Sequence, residues 1–293
     1  MENPIYIESP TIKSPLIPNL FYKMECNQPT LSFKVRGMER LCRFHLNQGR
    51  NKFIASSGGN AGYSLAFVGQ KLGAFVKVVV PTTTSQYMVE KIKSVGAEVE
   101  VCGDVWDEAN FRALQIAQEG DTVYVSPFDD PLLWKGHATM IDECVNQMEK
   151  PDHLIVSVGG GGLLCGILEG LKRNHWSDVK ITTVETHGAA SFYESWKANK
   201  VVSLKEISSV ATSLGAKTIT KQALSLSKEF DVNAVLVSDE EAIKAAELFY
   251  KEAHKRVEPA CGAALSIPYL NPESFDENER VLVIVCGGAN IIE

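Results

Sequence analysis

From about residue 51 onward, short runs rich in valine and isoleucine alternate with segments of helical period, and Gly, Pro, Ser or Asp marks each switch. NKFIAS, AFVKVVV, AEVEV, DTVYVS, HLIVSV, VKITTVE, NAVLVS and RVLVIV are the strand candidates. They show little polar alternation, as strands covered by helices on both faces should. Between them lie helix-length segments: Ala61 to Leu72, Ser85 to Val95, Asp107 to Glu119, Pro131 to Met148, Leu163 to Asn174 and Asp239 to His254. This is a βαβ series, and it predicts an α/β fold built on mostly parallel sheets. A length of 293 residues favours two domains over one, and glycine-rich turns fall in two separate places, after Ser56 and after Val158. The expected organisation is two open, mostly parallel sheets flanked by helices. Residues 35–130 form the small domain, and residues 1–34 with 131–293 form a discontinuous large one.

Charge and cysteine usage narrow the function. Lys and Arg number 29 against 36 Asp and Glu, a net charge of −7, and no block concentrates the basic residues. A general binder of nucleic acid or anionic membrane would look different. The N-terminus has no basic segment followed by an apolar one, and nowhere do eighteen apolar residues run together. The chain therefore reads as soluble and cytoplasmic. Seven cysteines without a CxxC pair indicate neither a disulfide framework nor a zinc ribbon. Six scattered histidines without HExxH leave only oxygen-ligated metals to consider.

Four constellations could carry chemistry. In Pro29 to Gly37, Lys34 opens a helix-period run. Its ordinary reading is a solvated first-turn residue. The alternative is an amine whose pKa is lowered by the positive helix end and partial burial, as a nucleophile requires. Ala55 to Gly62 reads ASSGGNAG where a strand gives way to a helix, which is either a tight turn capped by Asn60 or a backbone site for a carboxylate or phosphate. Gly159 to Gly162, followed by Leu163, exceed what a connecting turn requires and point to close approach of the backbone to a phosphate. They do not complete GxGxxG, and the chain has no GKS or GKT. Finally, a buried strand ends in Cys286-Gly287-Gly288, where a core cysteine and a polar ligand contact are both open readings. His137 and Trp134 are given no role.

Taken in order, the lysine in SFKVRG, the SSGGNAG turn, the four-glycine turn and the CGG strand resemble the tryptophan-synthase-like (fold type II) pyridoxal-phosphate enzymes, and among them the L-serine/L-threonine dehydratases. The likeness runs from Pro29 to Asn290 and takes in PFDDPLLWKGHAT, VETHGAASF, ITKQAL and VEPACGAAL. It implies pyridoxal 5'-phosphate as cofactor, with Lys34 as its Schiff-base lysine and Phe33 against its ring. Gly159, Gly160, Gly161, Gly162 and Leu163 would hold the phosphate. Ser57, Gly58, Gly59, Asn60 and Ala61 would grip the substrate carboxylate, with Asn60 also reaching the phenolic oxygen, and Cys286 would face the pyridine nitrogen. Glu185, with carbonyls of Gly159, Ala189 and Leu214 and the hydroxyl of Ser191, matches a cation site for potassium or a divalent ion, although a structural acid is an equally open reading of Glu185.

The implied reaction is β-elimination from L-serine or L-threonine, giving a 2-oxo acid and ammonia, by a homodimer that binds no nucleic acid or membrane. A neutral Cys286 beside the pyridine nitrogen would make the ring a poorer electron sink and favour prompt elimination. The alternatives are a serine racemase, a cysteine-synthase-like enzyme, and a catalytically quiet amino-acid or cofactor-binding protein, against which Lys34 argues. At the position of Gly58 relatives carry Ala, Ser or Gly. In racemases it is a serine whose hydroxyl serves the face opposite the lysine, so Gly58→Ser is expected to raise D-serine formation. Relatives also continue past the position of Glu293 through a further helix, which dimer contacts would use.

Overall fold

The computed structural model describes residues 3–276 and 278–291. The N-terminal arm supplies β1 (Thr11–Lys13) and β2 (Leu20–Lys23) before α1 (Lys34–Leu46). A first βα series follows: β3 (Lys52–Ser56), α2 (Asn60–Leu72), β4 (Phe75–Val80), α3 (Gln86–Ser94), β5 (Glu98–Val101), α4 (Trp106–Glu119) and β6 (Val123–Tyr124). The chain then runs through α5 (Pro131–His137), α6 (Thr139–Gln147), β7 (His153–Ser157), α7 (Gly162–Arg173), β8 (Lys180–Thr186), α8 (Ser191–Lys197), α9 (Lys221–Ser227), β9 (Val232–Val237), α10 (Asp239–Ala253), α11 (Pro259–Leu270) and β10 (Val281–Ile284).

These strands form two sheets. One has four parallel strands in the order β5-β4-β3-β6, and the other six in the order β1-β2-β10-β7-β8-β9. The second is parallel except where β1 pairs antiparallel with β2, Thr11 opposite Lys23. All eight strand candidates are present, with DTVYVS reduced to the two-residue β6. The single helix expected over Pro131 to Met148 is two, α5 and α6, joined at Ala138. The Pro131 start is set by Asp130, whose side chain accepts the Leu132 N–H at 2.7 Å.

Val78 and Val80 of the smaller sheet and Ile155, Val156, Leu282 and Val283 of the larger are buried. In open parallel sheets ligands collect at the carboxyl ends of strands, and most strongly where the strand order reverses. Here β7 is followed on one side by β8 and β9, and on the other by β10, so the reversal lies between β7 and β10. The glycine run follows β7, Cys286 follows β10, and the SSGGNAG turn follows β3.

Candidate active site

Lys34 is placed by two sets of contacts that lie far from it in sequence. The residues before it are clipped to the chain leaving β10: Phe33 N–H donates to Cys286 O at 3.3 Å, Gly288 N–H donates to Leu31 O at 2.8 Å, and Ser32 pairs with Gly287. Two residues after it, the fully buried Arg36 binds Glu25 through Nε at 2.7 Å and Glu143 through Nη1 at 2.6 Å, while Lys23 reaches the same Glu143 at 2.7 Å. Two cations facing two carboxylates leave no buried charge unpaired, which such a cluster needs to be tolerated. The start of α1 is therefore fixed from both sides.

The Lys34 ammonium donates to Pro127 O at 2.6 Å and lies 5.0 Å from the centroid of the Phe33 ring. Loss of water around the amine lowers its pKa to about 8, against a small opposing effect of Cys286. The folded chain thus favours the neutral amine, whereas the unfolded chain keeps its proton up to the ordinary lysine range. Stability rises with pH wherever the unfolded state binds more protons. In cofactor-free protein, Lys34→Met should therefore be more stable than the unaltered chain at pH 7.5, by on the order of 2 kcal/mol. That advantage should shrink between pH 8 and 10.5. Denaturant titrations across this range check it, and a constant difference would place the amine in water.

The glycine run departs from what its sequence suggested in one respect. A Cβ at Gly162 would lie 2.5 Å from the Phe128 carbonyl oxygen, and one at Gly160 would enter the Phe128 ring. The missing side chains thus make room for the chain itself. The segment carrying Phe128 is shaped by Ser126, whose hydroxyl accepts the Asp129 N–H at 2.9 Å, and the same segment presents Pro127 O to Lys34. What the run leaves open is its donors. Among the described residues, none of the backbone N–H groups of Gly159, Gly160, Gly161, Gly162, Leu163 and Leu164 has a protein acceptor, the first capping bond being Cys165 N–H to Gly161 O. Gly161 to Leu164 are buried. Buried donors at a helix N-terminus need a partner, and an anion suits them.

A second, smaller set lies after β3. Gly58, Asn60, Ala61 and Gly62 offer N–H groups without a protein acceptor among the described residues, and Gly59 N–H meets Ser57 Oγ at 3.4 Å. Asn60 does not cap its helix through its side chain. Its Oδ1 accepts the Ala289 N–H at 2.7 Å, and its Nδ2 donates to Glu258 at 3.2 Å. Lys91 holds the same residue, donating to Ala289 O at 2.9 Å. The turn after β3 and the chain after β10 are thereby joined.

Cys286 is 9 % exposed, with the deeply buried Cys261 of α11 beside it; burial and that neighbour raise the Cys261 thiol well above its ordinary range. Phe33 packs edge-on against His137, centroids 4.8 Å apart. The His137 ring is fully buried and held neutral, and among the described residues neither nitrogen has a partner. Glu185, at the end of β8, accepts the N–H groups of Phe192 at 2.9 Å and Tyr193 at 2.6 Å, and burial pushes its carboxyl up to about 8. Ala189 closes the same turn by donating to Thr186 O at 2.9 Å, and the buried Ser191 hydroxyl has no partner among the described residues. Leu214 lies against Gly159, its Cα 3.2 Å from where a Cβ would stand. No cluster of three or more His, Cys, Asp or Glu side chains suited to a metal occurs among the described residues. A cation here would rest mainly on carbonyl oxygens. Sequence reasoning gave no role to Pro127, Phe128, Arg36 or Glu258, although each lies in a motif it quoted, because their contacts here are set by the fold.

A lysine of lowered pKa and a helix N-terminus whose buried donors suit an anion, together in one α/β fold, are what an enzyme with a phosphorylated carbonyl cofactor requires. The chain belongs to the family described as pyridoxal-phosphate dependent enzymes, whose model matches residues 3–287. It is 42 % identical to the L-serine dehydratase of Dictyostelium discoideum over 97 % of this chain and 89 % of that one. It is 41 % identical to the L-serine dehydratase/L-threonine deaminase of Homo sapiens over 98 % of this chain and 92 % of that one. Among solved structures, a fungal L-serine ammonia-lyase from Rhizomucor miehei superposes with a TM-score of 0.93 at 32 % identity, covering 98 % and 96 % of the two chains. The residues present fit the cofactor, since six N–H groups without acceptors among the described residues suit its phosphate and a lysine amine with a pKa of about 8 suits its carbonyl.

Proposed function

We propose that this chain is a pyridoxal-phosphate-dependent dehydratase that converts L-serine to pyruvate and L-threonine to 2-oxobutyrate with release of ammonia. The observation that carries the reading is the pairing of the Lys34 amine with the unpartnered N–H groups of Gly159 to Leu164. The substrates come from the relatives just named. Bound there, the cofactor supplies an electron sink that acidifies the Cα–H of an amino acid. Lys34 holds the cofactor carbonyl and, as a neutral amine, accepts the Cα proton. Gly159, Gly160, Gly161, Gly162 and Leu163 hold the phosphate through their N–H groups. Ser57, Gly58, Gly59, Asn60 and Ala61 orient the substrate carboxylate, Asn60 donates to the phenolic oxygen, Phe33 covers the ring, and Cys286 offers the pyridine nitrogen a thiol in place of a carboxylate. Coupled assays for pyruvate and 2-oxobutyrate test the reading. Formation of cysteine from O-acetylserine and sulfide in place of either would move it to the cysteine-synthase-like alternative.

Gly58 favours elimination over racemisation because it has no hydroxyl for the face opposite Lys34, and its surroundings leave little room for one. The Thr84 side chain occupies the space a residue-58 side chain would take, with its Cγ2 2.5 Å from the Cβ position. Gly58→Ser is therefore expected to impair elimination without raising D-serine, whereas Gly58→Ser with Thr84→Ala makes room and lets D-serine formation rise. Chiral analysis of serine after incubation decides this. Efficient D-serine production by Gly58→Ser by itself would show that Thr84 yields readily.

The reading extends to a cation held by Glu185, the carbonyls of Gly159, Ala189 and Leu214, and the Ser191 hydroxyl, whose lack of a partner among the described residues supports it. Replacing potassium with a bulky organic cation should lower cofactor retention. Unchanged retention, with chelation also without effect, would leave Glu185 as the acid that fastens α8. A homodimer in the cytoplasm, with residues 35–130 as a small substrate-carboxylate unit and residues 1–34 and 131–293 as the cofactor unit, completes the proposal. Among the described residues no helix is long and apolar enough to cross a membrane.

A further inference from the structure

Glu258 stands at the N-terminus of α11, immediately before Pro259, and is only 5 % exposed. Its carboxylate collects donors from three separate parts of the chain. Asn60 Nδ2 lies 3.2 Å from each of its oxygens, Asn290 N–H donates at 2.9 Å, and the Ser213 hydroxyl donates to Oε2. It lies directly over Gly288, where any Cβ would strike it, two residues beyond Cys286.

The partners of Asn60 fix which way its amide faces. A backbone N–H can only donate, so the bond from Ala289 N–H identifies Oδ1, and the carboxylate of Glu258 can only accept from Nδ2. A flipped amide would set an NH2 group against the Ala289 N–H and a carbonyl oxygen against a carboxylate. Both contacts are repulsive, and both groups are largely withdrawn from water, where unmade hydrogen bonds are expensive. One Nδ2 hydrogen is committed to Glu258. The other, now directed to Ser213 Oγ at 3.3 Å, is available to a bound acceptor.

We propose that Glu258 is the positioning residue that keeps the Asn60 amide turned with its NH2 end toward the cofactor's phenolic oxygen. The inference rests on the reading of Asn60 given under the proposed function. Glu258 acts through Asn60, so removing either residue removes the same interaction. A double-mutant cycle with Asn60→Ala and Glu258→Ala, read on the holoenzyme by pyridoxal 5'-phosphate dissociation and by the visible absorption maximum, tests it. Each single change should weaken cofactor binding about tenfold, the worth of one good hydrogen bond, and move the band in the same direction. The double variant should lose no more than about twofold beyond either one. Glu258→Gln keeps an acceptor for Nδ2 and should stay within about threefold of the unaltered protein. If Glu258→Ala does not fold, Glu258→Asp, whose shorter carboxylate withdraws from Asn60, takes its place. Additive losses, or a Glu258→Ala protein with unchanged affinity and spectrum, would overturn the proposal. The same cycle in cofactor-free protein, read by denaturant unfolding, separates the two ideas. Coupling there in a protein that takes up no cofactor counts against the proposed function only, and absence of coupling overturns the role of Glu258.

Discussion

Lys34→Ala should abolish formation of pyruvate and 2-oxobutyrate, with a fall of at least about a thousandfold, and leave a folded protein that lacks the visible absorption of the unaltered one. The size of the effect follows from the number of roles placed on one amine. On the proposed function it holds the cofactor carbonyl, and in its neutral form it accepts the Cα proton, which its pKa of about 8 allows near physiological pH. The fold should survive because α1 is anchored elsewhere, by the Arg36 pairs with Glu25 and Glu143 and by the backbone bonds of Leu31 and Phe33 to the chain after β10. Lys34→Arg should rescue neither role, because a guanidinium does not give up its proton. Steady-state assays and an absorption spectrum check the result. Retention of more than a few per cent of the activity in Lys34→Ala would place the base on another residue.

Gly160→Ala should cost the cofactor its phosphate site. The added methyl group would enter the Phe128 ring, 2.5 Å from Cδ1, and overpacking of that kind costs about 1–3 kcal/mol. The loop cannot retreat freely, since Gly160 O accepts the Thr220 N–H at 2.9 Å and a Cβ at Gly162 would meet the Phe128 carbonyl. Affinity for pyridoxal 5'-phosphate should fall about tenfold or more, while affinity for pyridoxal, which has no phosphate, should change little. Phe128→Ala in the Gly160→Ala background returns the space and should recover much of the loss. Equal effects on both cofactor forms would mean that the glycine run does not face the phosphate.

Much of this was legible in the sequence, and what was not has identifiable physical causes. Strands such as HLIVSV and RVLVIV announce themselves because they are buried on both faces and bounded by turn residues. The sequence of β2, LFYK, does not, because Lys23 is buried against Glu143, an ion pair 120 residues apart that no local pattern encodes. The α11 segment hid for the opposite reason. Packed against α10 and the large sheet, it is apolar all round, with Pro268 inside it, so no amphipathic stripe marks it. At the candidate site, the two glycine-rich turns stand out in the sequence because each carries its unpartnered donors in consecutive residues, and Lys34 stands out only once the four motifs are taken together. The contacts of Pro127 and Glu258 were not legible, since each joins parts of the chain far apart in sequence, and that of Thr84 was not, since it meets Gly58 only where β4 pairs beside β3 in the smaller sheet. The glycine run shows a mixed case. Its position was readable, but the demand for glycine comes in part from Phe128, a residue of the protein itself.

The most direct test of the account is reduction of the purified protein with borohydride, followed by proteolysis and mass spectrometry. A phosphopyridoxyl group fixed on the peptide containing Lys34, with loss of the visible band, is the expected result. A reduced protein carrying no such group after incubation with pyridoxal 5'-phosphate, or carrying it on a different lysine, would contradict the assignment of Lys34 and the site built around it.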